Sequence, residues 1–203
     1  MVLLDATTID QNDLGVDVGF NGTALIRDGS RVADNSHEGV TVNTGGMFGI
    51  ADAVVEDNGG YGIVAGGAST VSIERSNVIR SNGLDGILLW DQSNGVGGHG
   101  LGTVIEISDN GGWGINCAGP PAIAPFQNQF NMANIQFSGN ANPGTNCPQG
   151  TCDIDRVSEG KGRELPFRPS VLIKRLLGHT LAILVCRWLL LVPVSGNYRR
   201  PDQ

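Results

Sequence analysis

The sequence predicts an all-β fold, a parallel β-helix of about six coils, 23 to 30 residues each, stacked along one axis. Three observations carry that prediction. A short phrase, Asn then three residues then Gly and an aliphatic, recurs at Asn35 to Val40, Asn58 to Ile63, Asn82 to Ile87 and Asn110 to Ile115. A shortened copy starts at Asn12 and a degenerate one at Asn140, so the asparagine steps are 23, 23, 24, 28 and 30 residues, the period of a solenoid. Three residues before each Asn stands an apolar side chain, Ile9, Val32, Val55, Ile79, Ile107 or Phe137, forming a second ladder. After each Gly the chain alternates with period two, the spacing of a strand with one buried face.

In chain order the alternating pairs are Val16 and Val18, Val40 and Val42, Ile63 and Ala65, Ile87 and Leu89, and Ile115 and Cys117. Each pair marks a short strand whose two named residues point inward. Two further runs, Val71-Ser72-Ile73 and Asn77-Val78-Ile79, raise the expectation to three strands per period. Residues 1 to 152 show no sustained apolar spacing of the helical period. A unit this short cannot bury its apolar edge alone, so each coil should pair in parallel with its neighbours, roughly 4.8 Å away. Corners are expected at the Asn-Gly pairs 58–59, 82–83 and 110–111, in positive φ, while the Gly four residues after each Asn should permit a tight bend. Stacked Asn amides should hydrogen-bond from coil to coil.

The phrase Asn-x3-Gly-Ile/Val at a spacing near 23 resembles the repeats of the pectin-lyase-like superfamily over about residues 5 to 147. That resemblance implies a right-handed parallel β-helix, in keeping with the usual hand of parallel connections. It is nearly silent on activity, because similar repeats serve lyases, hydrolases, epimerases and adhesins.

Composition divides the chain into a β-helix over residues 1–152 and a different tail over 153–203. The first part holds 27 of the 31 glycines and only four basic residues, Arg27, Arg31, Arg75 and Arg80, against fifteen carboxylates, a net of −11. The tail carries nine basic and five acidic groups, a net of +4. So acidic a body repels nucleic acid and anionic membrane surfaces, and no nucleic-acid partner is expected. Within the tail, the apolar stretch from Leu176 to Val194 is interrupted by His179 and Arg187, which weighs against a membrane span. A cap helix over the last strand edges, a membrane-proximal segment and a disordered segment are the three readings of the tail. No signal peptide precedes the first coil, and the chain reads as the C-terminal part of a longer exported protein, extracellular or at the cell surface.

Cys117 falls at an inward strand position and Cys147 in the segment after it, so a bridge between them would close a loop of about 30 residues. A buried thiol at Cys117 is the other reading. Neither the Cys nor the His spacing fits zinc, and no metal or other cofactor is expected.

Catalytic signals are sparse. Gly98-His99-Gly100 resembles the Gly-His-Gly element of polygalacturonases, which share this fold, but the Asn-Thr-Asp, Asp-Asp and Arg-Ile-Lys elements of that site are absent. His99 lies in the glycine-rich run Asn94 to Gly102, read as a loop that lengthens its coil. A lyase or epimerase would need cations to neutralise a uronate and a base for its C5 proton, and the candidates Arg75, Arg80, Asp85, Asp91 and Asp109 are not pinned to one face by their spacing. Two glycine-rich segments, at 59–64 and 111–116, resemble calcium-binding nonapeptides but lack the Asp and the period of nine. The residue before each repeat Gly is Glu38, Tyr61, Asp85 and Trp113 in successive coils, with Trp90 beyond a neighbouring strand. Stacking should align this row outward, where aromatics mixed with carboxylates suit sugar faces and hydroxyls; the alternative is that these side chains merely cover a glycine-rich corner. Asn21-Gly22-Thr23 is a glycosylation sequon. The expected function is a noncatalytic structural or carbohydrate-contacting module, with a polysaccharide lyase, glycoside hydrolase or epimerase as the alternative.

Overall fold

The computed structural model describes residues 1–98, 103–117, 129–142, 144–147 and 152–159, with backbone alone at 129, 130, 132 and 152–159. The chain divides into two compact units, Met1–Arg163 and Glu164–Gln203, and every described residue lies in the first. The three readings of the tail beyond residue 159 therefore lie outside the described residues. Among the described residues there is no helix.

Strands β1 (Val2–Asp5), β2 (Thr8–Asp10) and β3 (Val16–Val18) form the first coil, and β4 (Thr23–Arg27), β5 (Arg31–Ala33) and β6 (Val40–Val42) the second. The third comprises β7 (Met47–Ala51), β8 (Val54–Glu56) and β9 (Ile63–Ala65), and the fourth β10 (Thr70–Glu74), β11 (Asn77–Arg80) and β12 (Ile87–Leu89). A fifth contains β13 (Asn94–Gly97), β14 (Ile105–Ser108) and β15 (Ile115–Cys117). After these five complete coils come β16 (Gln129–Ser138), β17 (Thr145–Asn146) and β18 (Cys152–Glu159), the last running across the compositional break at 152. Every strand pairs in parallel with its counterpart one coil away, giving three faces and a parallel β-solenoid. The long strand β16 joins two faces, its first half on β13 and its second on β14, and β18 follows it along both halves.

Register is kept residue for residue. The expected ladder Ile9, Val32, Val55, Ile79, Ile107 and Phe137 forms a column in the second face. The third face stacks Val16, Val40, Ile63, Ile87 and Ile115 in the same way. Ile63, Ile87 and Ile115 are fully buried, so period-two alternation places one side of each strand in a continuous core filled mainly by Ile and Val, with Phe48 and Phe137. Branched side chains suit this site because they pack on the pleated surface of the coils above and below.

The asparagine ladder is a complete hydrogen-bond chain. The Nδ2 groups of Asn12, Asn35, Asn58, Asn82 and Asn110 each donate to Oδ1 of the next Asn, at 3.3, 2.9, 2.9, 2.9 and 2.9 Å. Each of those five asparagines also donates its main-chain N–H to that same oxygen. The second Nδ2 proton reaches back to the carbonyl of the apolar ladder residue one coil earlier, as in Asn58 to Val32 and Asn110 to Ile79. Asn35, Asn58, Asn82 and Asn110 are buried, and this pattern satisfies every polar atom of their amides. Aspartate has no proton to donate and cannot continue the chain.

Two expectations are corrected. The Asn-Gly pairs are not in positive φ; the left-handed residue is the one just before each Asn, namely Gln11, Asp34, Asp57, Ser81, Asp109 and Gly139, at 53 to 66°. The glycine after the Asn is required by proximity instead, since a Cβ on Gly59, Gly83 or Gly111 would strike a carbonyl oxygen of the preceding coil. Likewise the repeat Gly62 has no room, its Cβ falling 2.6 Å from the Gly86 carbonyl and 2.8 Å from Nδ2 of Asn82. Residues 94–97 of the supposed loop are strand β13, because flanking strands impose the ladder on a glycine-rich segment that has no clashing side chain. Of the two readings of Cys117 the structure shows the buried thiol: its sulfur is 3.6 Å from that of Cys147, longer than a disulfide bond, and Cys147 belongs to a disulfide.

Candidate functional site

The third face and the two corners flanking it hold the sequence-predicted site residues. On one side the row before the repeat Gly stacks as expected, with the Gly39, Gly62 and Gly86 N–H groups donating to the carbonyls of Tyr61, Asp85 and Trp113. Glu38, Tyr61 and Trp113 are partly exposed, and the Glu38 carboxylate lies over Gly60 of the next coil. Burial, followed by the negative charges of Asp85 and Glu38, raises the Tyr61 phenol above its ordinary value. Asp85 differs from its neighbours. It is buried, with Oδ1 accepting from the Trp113 N–H at 2.6 Å and Oδ2 from Asn116 Nδ2 at 2.8 Å. Asp85 is thereby a clamp between the fourth and fifth coils rather than part of an outward row.

On the other side, each of β3, β6, β9 and β12 is followed by a four-residue corner leading to the next coil. Successive corners align Gly19, Asn43, Gly66 and Trp90 in one column and Phe20, Thr44, Gly67 and Asp91 in the next, a register fixed by bonds such as Asn43 N–H to Val18 O and Trp90 N–H to Ala65 O. Between these columns opens a groove of about 400 Å³, bounded at its ends by Phe20 and Trp90 and bearing the carboxylates of Asp17 and Asp91. Trp90 is 46 % exposed, and its indole lies against Gly66, where a Cβ would come within 2.5 Å of Cε2 and Nε1. Phe20 is 88 % exposed with φ at 50°, an uncomfortable backbone for a bulky residue that buries nothing.

The four arginines of residues 1–152 all lie elsewhere and are all engaged. Arg27 pairs with Asp5 at 2.6 Å and Arg75 with Asp52 at 3.0 Å at the corner between the first two faces. Arg31 and Arg80 converge on Glu56 at 2.6 and 2.7 Å, bracketing it from the coils on either side. Burial alone would raise the Glu56 carboxyl, but the two guanidinium bonds outweigh it and hold the group below its ordinary value. Arg75 and Arg80 are thus separated from Asp85 and Asp91, and Asp109 occupies a left-handed corner beside Gly139. No group of three or more His, Cys, Asp or Glu able to hold a metal ion occurs among the described residues. His99 lies outside the described residues.

Sequence reasoning reached Trp90 and Asp91 but missed Phe20, Asp17, Asn43 and Thr44. The available signal was positional: Phe20 stands two residues after inward Val18, as Asp91 stands two after inward Leu89. No family model, curated protein or solved structure matches the chain.

Proposed function

We propose that this chain is a noncatalytic, extracellular or surface-associated β-helix module that contacts carbohydrate. The observation that carries the reading is Trp90, half exposed and laid against Gly66 at the side of an open groove. An aromatic face held by its own scaffold, with carboxylate, amide and hydroxyl groups beside it, offers both apolar contact and hydrogen bonds to a sugar ring. Membership of the pectin-lyase-like superfamily belongs to the same proposal, supported by the asparagine ladder and the three-strand coil. Extracellular placement draws support from the disulfide at Cys147, since such bonds persist in oxidising compartments.

The enzymatic alternative draws less support. A uronate-cleaving site needs a cation near the substrate carboxylate, and each of the four arginines is already paired. Hydrolysis needs two carboxylates roughly 5 to 9.5 Å apart. Asp17 and Asp91 stand three coil steps apart, roughly 14 Å along the axis.

The test is binding and turnover by the full chain across a polysaccharide panel, with and without calcium, following reducing ends and the absorbance of unsaturated products. Binding without turnover is expected. Product release above background would overturn the noncatalytic reading, and absence of binding to every polysaccharide would overturn the carbohydrate reading.

A further inference from the structure

We infer that the corner groove takes a neutral saccharide chain laid along the solenoid axis, with Trp90 and Phe20 as its two end contacts. The inference rests on the carbohydrate-contacting reading above and deepens it by naming the ligand class and its path.

The path follows from the stacking. Phe20, Thr44, Gly67 and Asp91 occupy one corner position in four successive coils, so the two aromatic ends are separated by three coil steps, roughly 14 Å. Between them the described floor residues are Gly19, Asn43, Thr44 and Gly67, so among the described residues no bulky side chain interrupts the line between the aromatics. A trough that runs across four successive coils fits an extended polymer along the axis better than a single ring across it.

Ligand charge follows from the lining. Asp17 and Asp91 put negative charge into the groove, no cation lines it among the described residues, and the four arginines of residues 1–152 are committed to carboxylates elsewhere. An anionic strand would meet like charge with nothing to neutralise it, whereas neutral hydroxyls can donate to those carboxylates and exchange bonds with the Asn43 amide and Thr44 hydroxyl. The platform is set before binding. Because Gly66 has no Cβ, the Trp90 indole rests on the coil below it, which limits the side-chain freedom lost when a sugar stacks on the outer face. Phe20 holds a left-handed φ while exposing its ring to solvent, an arrangement that folding alone does not reward.

Isothermal titration of the full chain with neutral hexasaccharides of glucose, mannose, galactose and xylose, and with a galacturonic acid hexamer, tests the inference. Trp90→Ala, Phe20→Ala and Gly66→Ala are titrated alongside the unmodified chain, each checked for a native circular dichroism spectrum. Gly66→Ala is the decisive variant, because it keeps the indole but displaces it, and Gly66 does not have the positive φ that would strain an alanine. The expected result is that a neutral hexamer binds, that each substitution weakens it by about tenfold or more, and that the galacturonate hexamer binds more weakly. Neutral binding left unchanged by all three substitutions would remove the ligand from this groove while sparing the broader carbohydrate reading. Tighter binding of the galacturonate would overturn the ligand class, and no binding by any hexamer would overturn this inference together with the reading beneath it.

Discussion

Replacing Asn82 by Ala should destabilise the solenoid far more than the same change at Asn12. Asn82 is 2 % exposed, and its Nδ2 donates to Asn110 Oδ1 at 2.9 Å and to the Val55 carbonyl at 3.4 Å. Its Oδ1 accepts from Asn58 Nδ2 at 2.9 Å and from the Asn58 N–H at 3.3 Å. Alanine removes all four bonds. Asn110 Oδ1 keeps the main-chain N–H of residue 82 at 3.1 Å, so it is not orphaned. The Asn58 N–H and one Asn58 amide proton are orphaned, both in a buried residue, at about 1 to 3 kcal/mol each. With the weaker loss at Val55, the expected cost is about 3 to 5 kcal/mol. Asn12 is exposed at the first coil, where water replaces what its amide gave, and Asn12→Ala should cost under about 1 kcal/mol. Equilibrium guanidinium unfolding followed by far-ultraviolet circular dichroism measures both. A loss below about 1 kcal/mol for Asn82→Ala, or equal losses at the two positions, would refute the view that the interior ladder is held by satisfied amides.

Three other outcomes are expected. Glu56→Gln should cost about 2 kcal/mol near neutral pH by weakening both arginine contacts. Because the folded-state pKa of Glu56 is lowered, its contribution is full above the ordinary value of 4.5 and is lost as pH falls through the lowered one, so acid unfolding curves of the variant should be flatter in that window. Exposed Ala68 sits at a φ of 60°, and Ala68→Gly should raise stability by up to about 1 kcal/mol, the relief of left-handed strain exceeding the added chain entropy; a lowered thermal midpoint would contradict this. Burial pushes the Cys117 thiol up to about 12, leaving about one thiolate in ten thousand at pH 8, so iodoacetamide should label it only after unfolding, and rapid native labelling would contradict its burial.

Much of the fold was legible because its determinants are periodic. The Asn and Ile/Val columns repeat in the chain at the interval at which they stack, so the ladder from Asn12 to Asn140 and the inward pairs from Val16 to Cys117 could be read without coordinates. Corner conformation was not legible in the same way. Positive φ fell on Asp34, Asp57, Ser81 and Asp109 rather than on the Asn-Gly pairs, because a cross-coil carbonyl at each glycine, and not a turn preference, dictates what fits there.

What the sequence by itself determined about this protein is the all-β solenoid, its three strands per coil, its register and its asparagine ladder, since each follows from a repeated local pattern. Tertiary structure alone decided that Asp85 turns inward to bind Trp113 and Asn116, that the sulfurs of Cys117 and Cys147 meet at 3.6 Å, and that Phe20 and Trp90 close one groove. Those outcomes depend on non-repeating side chains more than twenty residues apart in sequence, which coil stacking brings to within a few steps of roughly 4.8 Å.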